Sequence, residues 1–325
     1  MGKCKQQEAL PASRGCKQRG SFVMDRVMKI TRRQCLLAMI SAMVVVICVC
    51  IGVTMNLTTV ADENFDHMGL RTFCMFTVNS NILAAASMAM VLPYTLDGMR
   101  THNYHLPRWI VDLVYAAVTA VALTFLISLF VLAPFKGFVL IFTGSRFFLH
   151  GVCPILAVIA FGFFMSSHKL SFKDSLLALI PVLIYAILYF VMVVVIGEDR
   201  GGWNDFYGFA TRISWKIPAA VIMPLTFLIA TGIRILHNRA YYRRRDEEAA
   251  FYSEAFENAD IRKIVRAMAR NHSSIKSPDI LVPSRVISIL LEHSGSDATL
   301  EECCQIYLEE YFANKDVISM KKMWI

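Results

Sequence analysis

Six separate stretches of this chain are each about 20 residues long, rich in Leu, Ile, Val, Ala and Phe, and almost free of charge. A helix needs about 20 apolar residues to cross a bilayer core. Inside that core a backbone satisfies its own hydrogen bonds only as a helix or a closed barrel. Unbroken runs of this length point to helices. The expected fold is therefore an all-α integral membrane bundle of six transmembrane helices. The spans are expected at residues 35–57, 73–96, 110–132, 147–165, 176–196 and 218–235. The first, third and fifth are nearly pure runs, whereas the second, fourth and sixth carry Pro or polar residues.

Composition agrees. Of 325 residues, 56% are hydrophobic and 18% charged, against about 45–50% and about 25% in soluble domains. That balance argues against a disordered chain or a secreted disulfide scaffold. The net charge of +8 is also unevenly placed. Residues 1–34 hold 9 Lys/Arg and 2 Asp/Glu, residues 35–235 hold 11 and 9, and residues 236–325 hold 13 and 14. Nearly all the excess is one N-terminal tail beside an apolar run, which reads as a membrane flank and not as a nucleic-acid surface.

Direction follows from the flanks. Arg26, Lys29, Arg32 and Arg33 precede the first span, and Arg234, Arg239, Arg243, Arg244 and Arg245 follow the sixth. Basic flanks stay on the cytoplasmic side. Both termini are expected there, which an even number of spans satisfies. Three regions result: a basic N-terminal tail at 1–34, the membrane domain at 35–235, and a cytoplasmic helical region at 236–325. Within the last, residues 246–325 are expected to form a small helical appendage, able to bind a cytosolic protein partner or to have no activity of its own. The first apolar run begins too late and runs too long for a cleavable signal.

This topology gives the polar residues of the spans a common depth. The second span enters from the outside, which puts Thr77, Asn79, Ser80 and Asn81 in its outer third. The fourth also enters from outside, bringing Arg146 and His150. The outer loop after the fifth carries Trp203, Asp205 and Tyr207. Polar groups are costly in lipid and turn toward the bundle interior or a cavity. His150 is the one histidine inside an expected span, and His is the usual general base near neutral pH. Thr77 and Ser80 are hydroxyl nucleophile candidates that need an adjacent base. Thr77, Ser80 and Asn81 share a helix face, and amide donors suit a developing oxyanion. The same residues also fit a structural role, since Ser and Thr in membrane helices bond back to their own backbone or join neighbours.

At these residues the chain resembles the androgen-inducible membrane hydrolases and androgen-dependent TFPI-regulating proteins, together with their six-helix bacterial relatives. The matching pieces are Phe73-Cys74-Met75-Phe76-Thr77-Val78-Asn79-Ser80-Asn81, Phe148-Leu149-His150-Gly151-Val152-Cys153-Pro154, and Gly202-Trp203-Asn204-Asp205-Phe206-Tyr207. The similarity covers about residues 35–235. It implies a threonine hydrolase of lipid esters, with Thr77 as nucleophile and His150 as base. Asn81 and Ser80, read from their place beside Thr77, are oxyanion or orienting candidates. Arg71, Arg146, Trp203, Asp205 and Tyr207 are substrate-rim candidates. The outer loop departs from the family's Trp-x-Tyr-Pro-Phe pattern, so substrate contacts differ. A related branch looks like a cysteine acyltransferase, which makes Cys74 and Cys153 alternative nucleophiles. A non-enzymatic transporter or a membrane sensor is the competing class. The implied partners are membrane lipids and a lipid ester, with no nucleic acid, cofactor or metal. His102 and His105 are spaced as ligands, but no further ligand pattern completes a metal site.

Overall fold

The structure is a computed structural model, and it describes residues 13–58, 69–101, 104, 106–209 and 215–255. These residues are helical, with no strand among them. Six helices are long and apolar enough to cross a membrane: Arg32–Thr58, Phe76–Arg100, Arg108–Lys136, Gly144–Phe164, Phe172–Ile196 and Ala220–Arg244. They are called spans one to six below. By their length and composition the chain is a multi-pass membrane protein. The chain divides into two units, one of residues 33–241 and one of residues 1–32 with 242–325. The first contains the bundle core. Of the second, residues 13–32 and 242–255 are described, and both stretches are helical. His102, His105 and the greater part of the C-terminal appendage lie outside the described residues.

Odd spans begin at one end of the bundle, called here the first end, and even spans begin at the other, the second end. Span three is the centre. Of its most apolar window 56% is buried, against 11% for span five. Its buried residues include Ala117, Ala120 and Ala122, small side chains that let neighbouring helices approach closely. Cys35, Ala38, Ala42 and Val45 of span one, Ala84 and Met88 of span two, and Ala157 and Phe161 of span four complete the core. The outward residues Ile47, Ile51, Ile184, Ile187 and Leu228 are exposed, as lipid-facing positions should be. Gly52 packs so closely on span four that a Cβ there would lie 2.9 Å from the Leu149 side chain.

Two expectations from sequence change. Span six does not stop at residue 235, because its helix runs from Lys216 to Ala255. Polar residues end the membrane pattern without ending a helix. His237 therefore lies within the sixth membrane-length helix, and His150 is not alone. Four segments also widen locally into turns closed by i→i+5 hydrogen bonds: Ser128–Leu132, Phe147–Val152, Ala160–Phe164 and Val191–Ile196.

Candidate functional site at the second end

Span two opens with a tight turn, Gly69–Cys74, and the helix then starts at Phe76. Two residues near its start, Ser80 and Asn81, bond other spans. The Asn81 amide nitrogen donates to Thr77 O at 2.7 Å and to Leu149 O at 2.9 Å. One buried side chain thus ties the carbonyl of Thr77 to the carbonyl of the residue before His150. Both of its hydrogens are spent in doing so, and its Oδ1 is buried without a partner. Ser80 Oγ donates to Thr77 O at 3.1 Å and meets Thr124 Oγ1 of span three at 3.2 Å. Spans two, three and four are joined at this point.

The Thr77 hydroxyl is held apart from these bonds. A Thr in a helix ordinarily donates back to the carbonyl three or four residues earlier. Here those two carbonyls already have side-chain donors. Asn79 Nδ2 bonds Phe73 O at 2.8 Å, and the Tyr185 hydroxyl bonds Cys74 O at 2.7 Å. Thr77 is half-buried, and no hydrogen bond to its hydroxyl is found among the described residues.

His150 lies on the widened Phe147–Val152 turn and is also half-buried. Its Nδ1 is hydrogen-bonded to Ser128 Oγ of span three. Ser128 is 1% exposed and begins the widened Ser128–Leu132 turn. Sequence reasoning missed Ser128 and Thr124. The available signal was their spacing, four residues apart on one helix face, at the depth expected for Thr77 and His150.

The remaining residues singled out from sequence fall into place around this cluster. Trp203, Phe206, Tyr207 and Phe209 gather around Tyr189 of span five, with ring centroids 5.2–6.5 Å away. Asp205 Oδ1 accepts from the Tyr189 hydroxyl at 2.6 Å and from Phe209 N at 2.9 Å, which folds the loop over that ring. The Tyr207 hydroxyl accepts from Phe76 N at 3.0 Å, one residue from Thr77. Burial pushes the Tyr207 phenol above its ordinary value, so it stays neutral. Arg146 donates to Leu140 O at 2.9 Å, and Arg71 is exposed. Cys74 and Cys153 are free thiols. They do not meet each other; Cys153 is buried against Cys48 of span one. Asn56, which begins a glycosylation-type sequon, instead bonds Thr72 at 3.1 Å and Ser145 at 3.4 Å. Among the described residues no group of three metal-ligating side chains forms.

The arrangement offers a hydroxyl with no hydrogen bond among the described residues, an imidazole with one nitrogen engaged, and an interhelical bridge from the Thr77 carbonyl to that of Leu149, the residue before His150. Comparison of the chain with protein-family models, with curated proteins and with solved structures gives no match.

Proposed function

We propose that this chain is an integral membrane hydrolase of lipid esters, of the fatty-acid-ester class, working near the outer face of the bilayer. Both termini are cytoplasmic in this reading, and in a bacterium the membrane is the plasma membrane. The observation that supports it is the Asn81 bridge between the carbonyls of Thr77 and Leu149, the residue before His150, beside a Thr77 hydroxyl with no hydrogen bond among the described residues. The sequence resemblance over residues 35–235 supports the same pair.

In the first step Thr77 Oγ1 attacks the ester carbonyl carbon while His150 takes the hydroxyl proton. The tetrahedral intermediate collapses to an acyl-Thr77, and the departing alkoxide takes the proton from the imidazolium. A water then attacks the acyl carbon, His150 accepts its proton, and collapse returns that proton to Thr77 Oγ1 and releases the fatty acid. A hydroxyl paired with a base is the arrangement this chemistry requires. General-base assistance contributes about 10²–10⁴-fold. Asn81 acts by orienting, since its amide hydrogens are committed to two carbonyls. The acyl chain enters laterally from lipid, and a substrate carboxylate meets Arg71 or Arg146 at the rim. Residues 246–325 serve a cytosolic protein partner.

The test is labelling of the purified full chain in detergent with a fluorophosphonate, followed by mapping of the adduct. Labelling at Thr77, lost in both Thr77→Ala and His150→Ala, is the expected result. An adduct on Cys74 or Cys153 moves the protein to the acyltransferase chemistry. Hydrolysis of a fluorogenic fatty-acid ester that survives both substitutions removes the hydrolase reading.

A further inference from the structure

The hydroxyl bonded to His150 is Ser128, not Thr77, and the two hydroxyls differ in exposure. Ser128 is 1% exposed, whereas Thr77 and His150 are half-buried. A nucleophile must touch its substrate, and a sealed side chain does not. The partnership itself is built into the backbone. Ser128 starts one i→i+5 turn and His150 sits inside another. Such turns are rare in helices and concentrate at functional positions. Two helices that both widen where they meet present Ser128 Oγ and His150 Nδ1 to each other.

An imidazole has two nitrogens, and the hydrogen bond made by one decides what the other can do. If Nδ1 donates its proton to a fixed acceptor, Nε2 keeps its lone pair and can act as a base. If Nδ1 accepts instead, Nε2 carries the proton and cannot. Carboxylates or carbonyls commonly hold the first arrangement. Among the described residues Nδ1 meets neither of these and bonds the Ser128 hydroxyl oxygen.

We infer that Ser128 is a positioning residue: it accepts from His150 Nδ1–H, fixes the ring, and leaves Nε2 as the nitrogen that exchanges protons with Thr77 and water. The catalytic use of Nε2 rests on the hydrolase reading. The tautomer does not, so the two are tested separately.

The experiment uses the full chain, with ¹⁵N-labelled histidine rings, in lipid nanodiscs at neutral pH. Ring-nitrogen chemical shifts distinguish a protonated from an unprotonated nitrogen, and the His150 signals are identified by their loss in His150→Gln. The expected state is Nδ1 protonated and Nε2 bare, kept in Ser128→Thr and changed in Ser128→Ala toward the Nε2-protonated form. An Nε2-protonated ring in the unsubstituted protein, or a ring state unmoved by Ser128→Ala, overturns the inference. Turnover of a fluorogenic fatty-acid ester is then compared. Ser128→Ala should lower kcat about 10–100-fold with KM unchanged, and Ser128→Thr should restore most of it. Thr119→Val, which alters another buried hydroxyl of span three outside this cluster, controls for packing and should leave kcat as it was. If Thr119→Val lowers kcat as much as Ser128→Ala does, span-three packing accounts for the loss and the positioning role falls. An adduct mapped to Ser128 would make it the nucleophile and likewise end that role. The expected tautomer with no ester turnover in the unsubstituted protein would retain the Ser128 assignment and remove the hydrolase.

Discussion

At the first end of the bundle, Arg108 pairs with Asp112 at 3.2 Å and with Asp174, and it donates to Lys169 O at 2.8 Å. Asp174 also accepts from the backbone of Ser171, which caps the start of span five. The two ring nitrogens of His237 lie 3.0 and 2.9 Å from Phe161 O and His168 O, and the ring stacks on Phe161. The Tyr115 hydroxyl donates to Ala230 O at 2.6 Å and meets Ser175 at 3.0 Å. These polar groups answer one another across spans three to six. At the second end the interhelical bonds are equally specific, but among the described residues Thr77 has no bond to its hydroxyl and Asn81 Oδ1 is buried with no partner. Burying an unpartnered polar atom costs stability, and a fold that only needed locking would gain by pairing it. Ser167 Oγ at the first end is buried without a hydrogen-bond partner as well, so the ends differ in the chemistry gathered there, a hydroxyl and an imidazole at the second end against ion pairs and carbonyl-bonded rings at the first, and not in the mere presence of an unpaired atom.

The largest effect expected is chemical and confined to the second end. His150→Ala should lower ester turnover about 10²–10⁴-fold while the thermal midpoint in detergent stays close to its starting value. If instead the midpoint falls and turnover per folded molecule holds, the two ends are alike and both are locks.

Next is a stability effect confined to the first end. Asp174→Ala leaves Arg108 without its less exposed partner; the two side chains are 9% and 38% exposed. Breaking a fully buried pair costs about 3–5 kcal/mol, and solvent around Arg108 reduces that. A loss of about 2–3 kcal/mol, read by denaturant titration in detergent, is expected with turnover per folded molecule unchanged. Turnover that falls with it would join the two ends functionally.

A substitution at the junction of both behaviours sharpens the comparison. Asn81→Ala removes the side-chain donor from Leu149 O and leaves Thr77 O with the Ser80 hydroxyl, which should cost about 1–3 kcal/mol. Because the same side chain ties the Thr77 backbone to the residue before His150, turnover should fall as well, and the ratio of the two losses measures how far this bridge serves chemistry. The smallest effect is expected from Tyr115→Phe, about 1 kcal/mol of stability and no change in turnover, because it removes one hydroxyl from a network with other ties.

Six membrane-length helices were legible in the sequence, because a run such as 35–57 leaves a backbone in lipid no option but to bond itself. Span boundaries were less legible. Residue 235 ends the apolar pattern, but the side chains that follow are good helix formers and the helix continues. Of the candidate site, Thr77, Asn81 and His150 stood out as polar residues at one depth. Ser128 did not, since a single Ser in an apolar span reads most simply as bonded to its own helix. Its partner lies 22 residues away, and the Thr124–Ser128 spacing marks a polar face of span three without identifying that partner.

The sequence by itself determined the class of fold, because hydrophobic length and charge placement act on each segment separately and need no neighbours. Which hydroxyl meets His150, which carbonyls are taken from Thr77, and that Cys153 faces Cys48 rather than Cys74 were decided only by the tertiary structure. Those choices depend on how helices rotate about their axes and where their turns widen. Rotation is set by packing small residues such as Gly52 and Ala120 against their neighbours, a property of pairs of helices that no single segment contains.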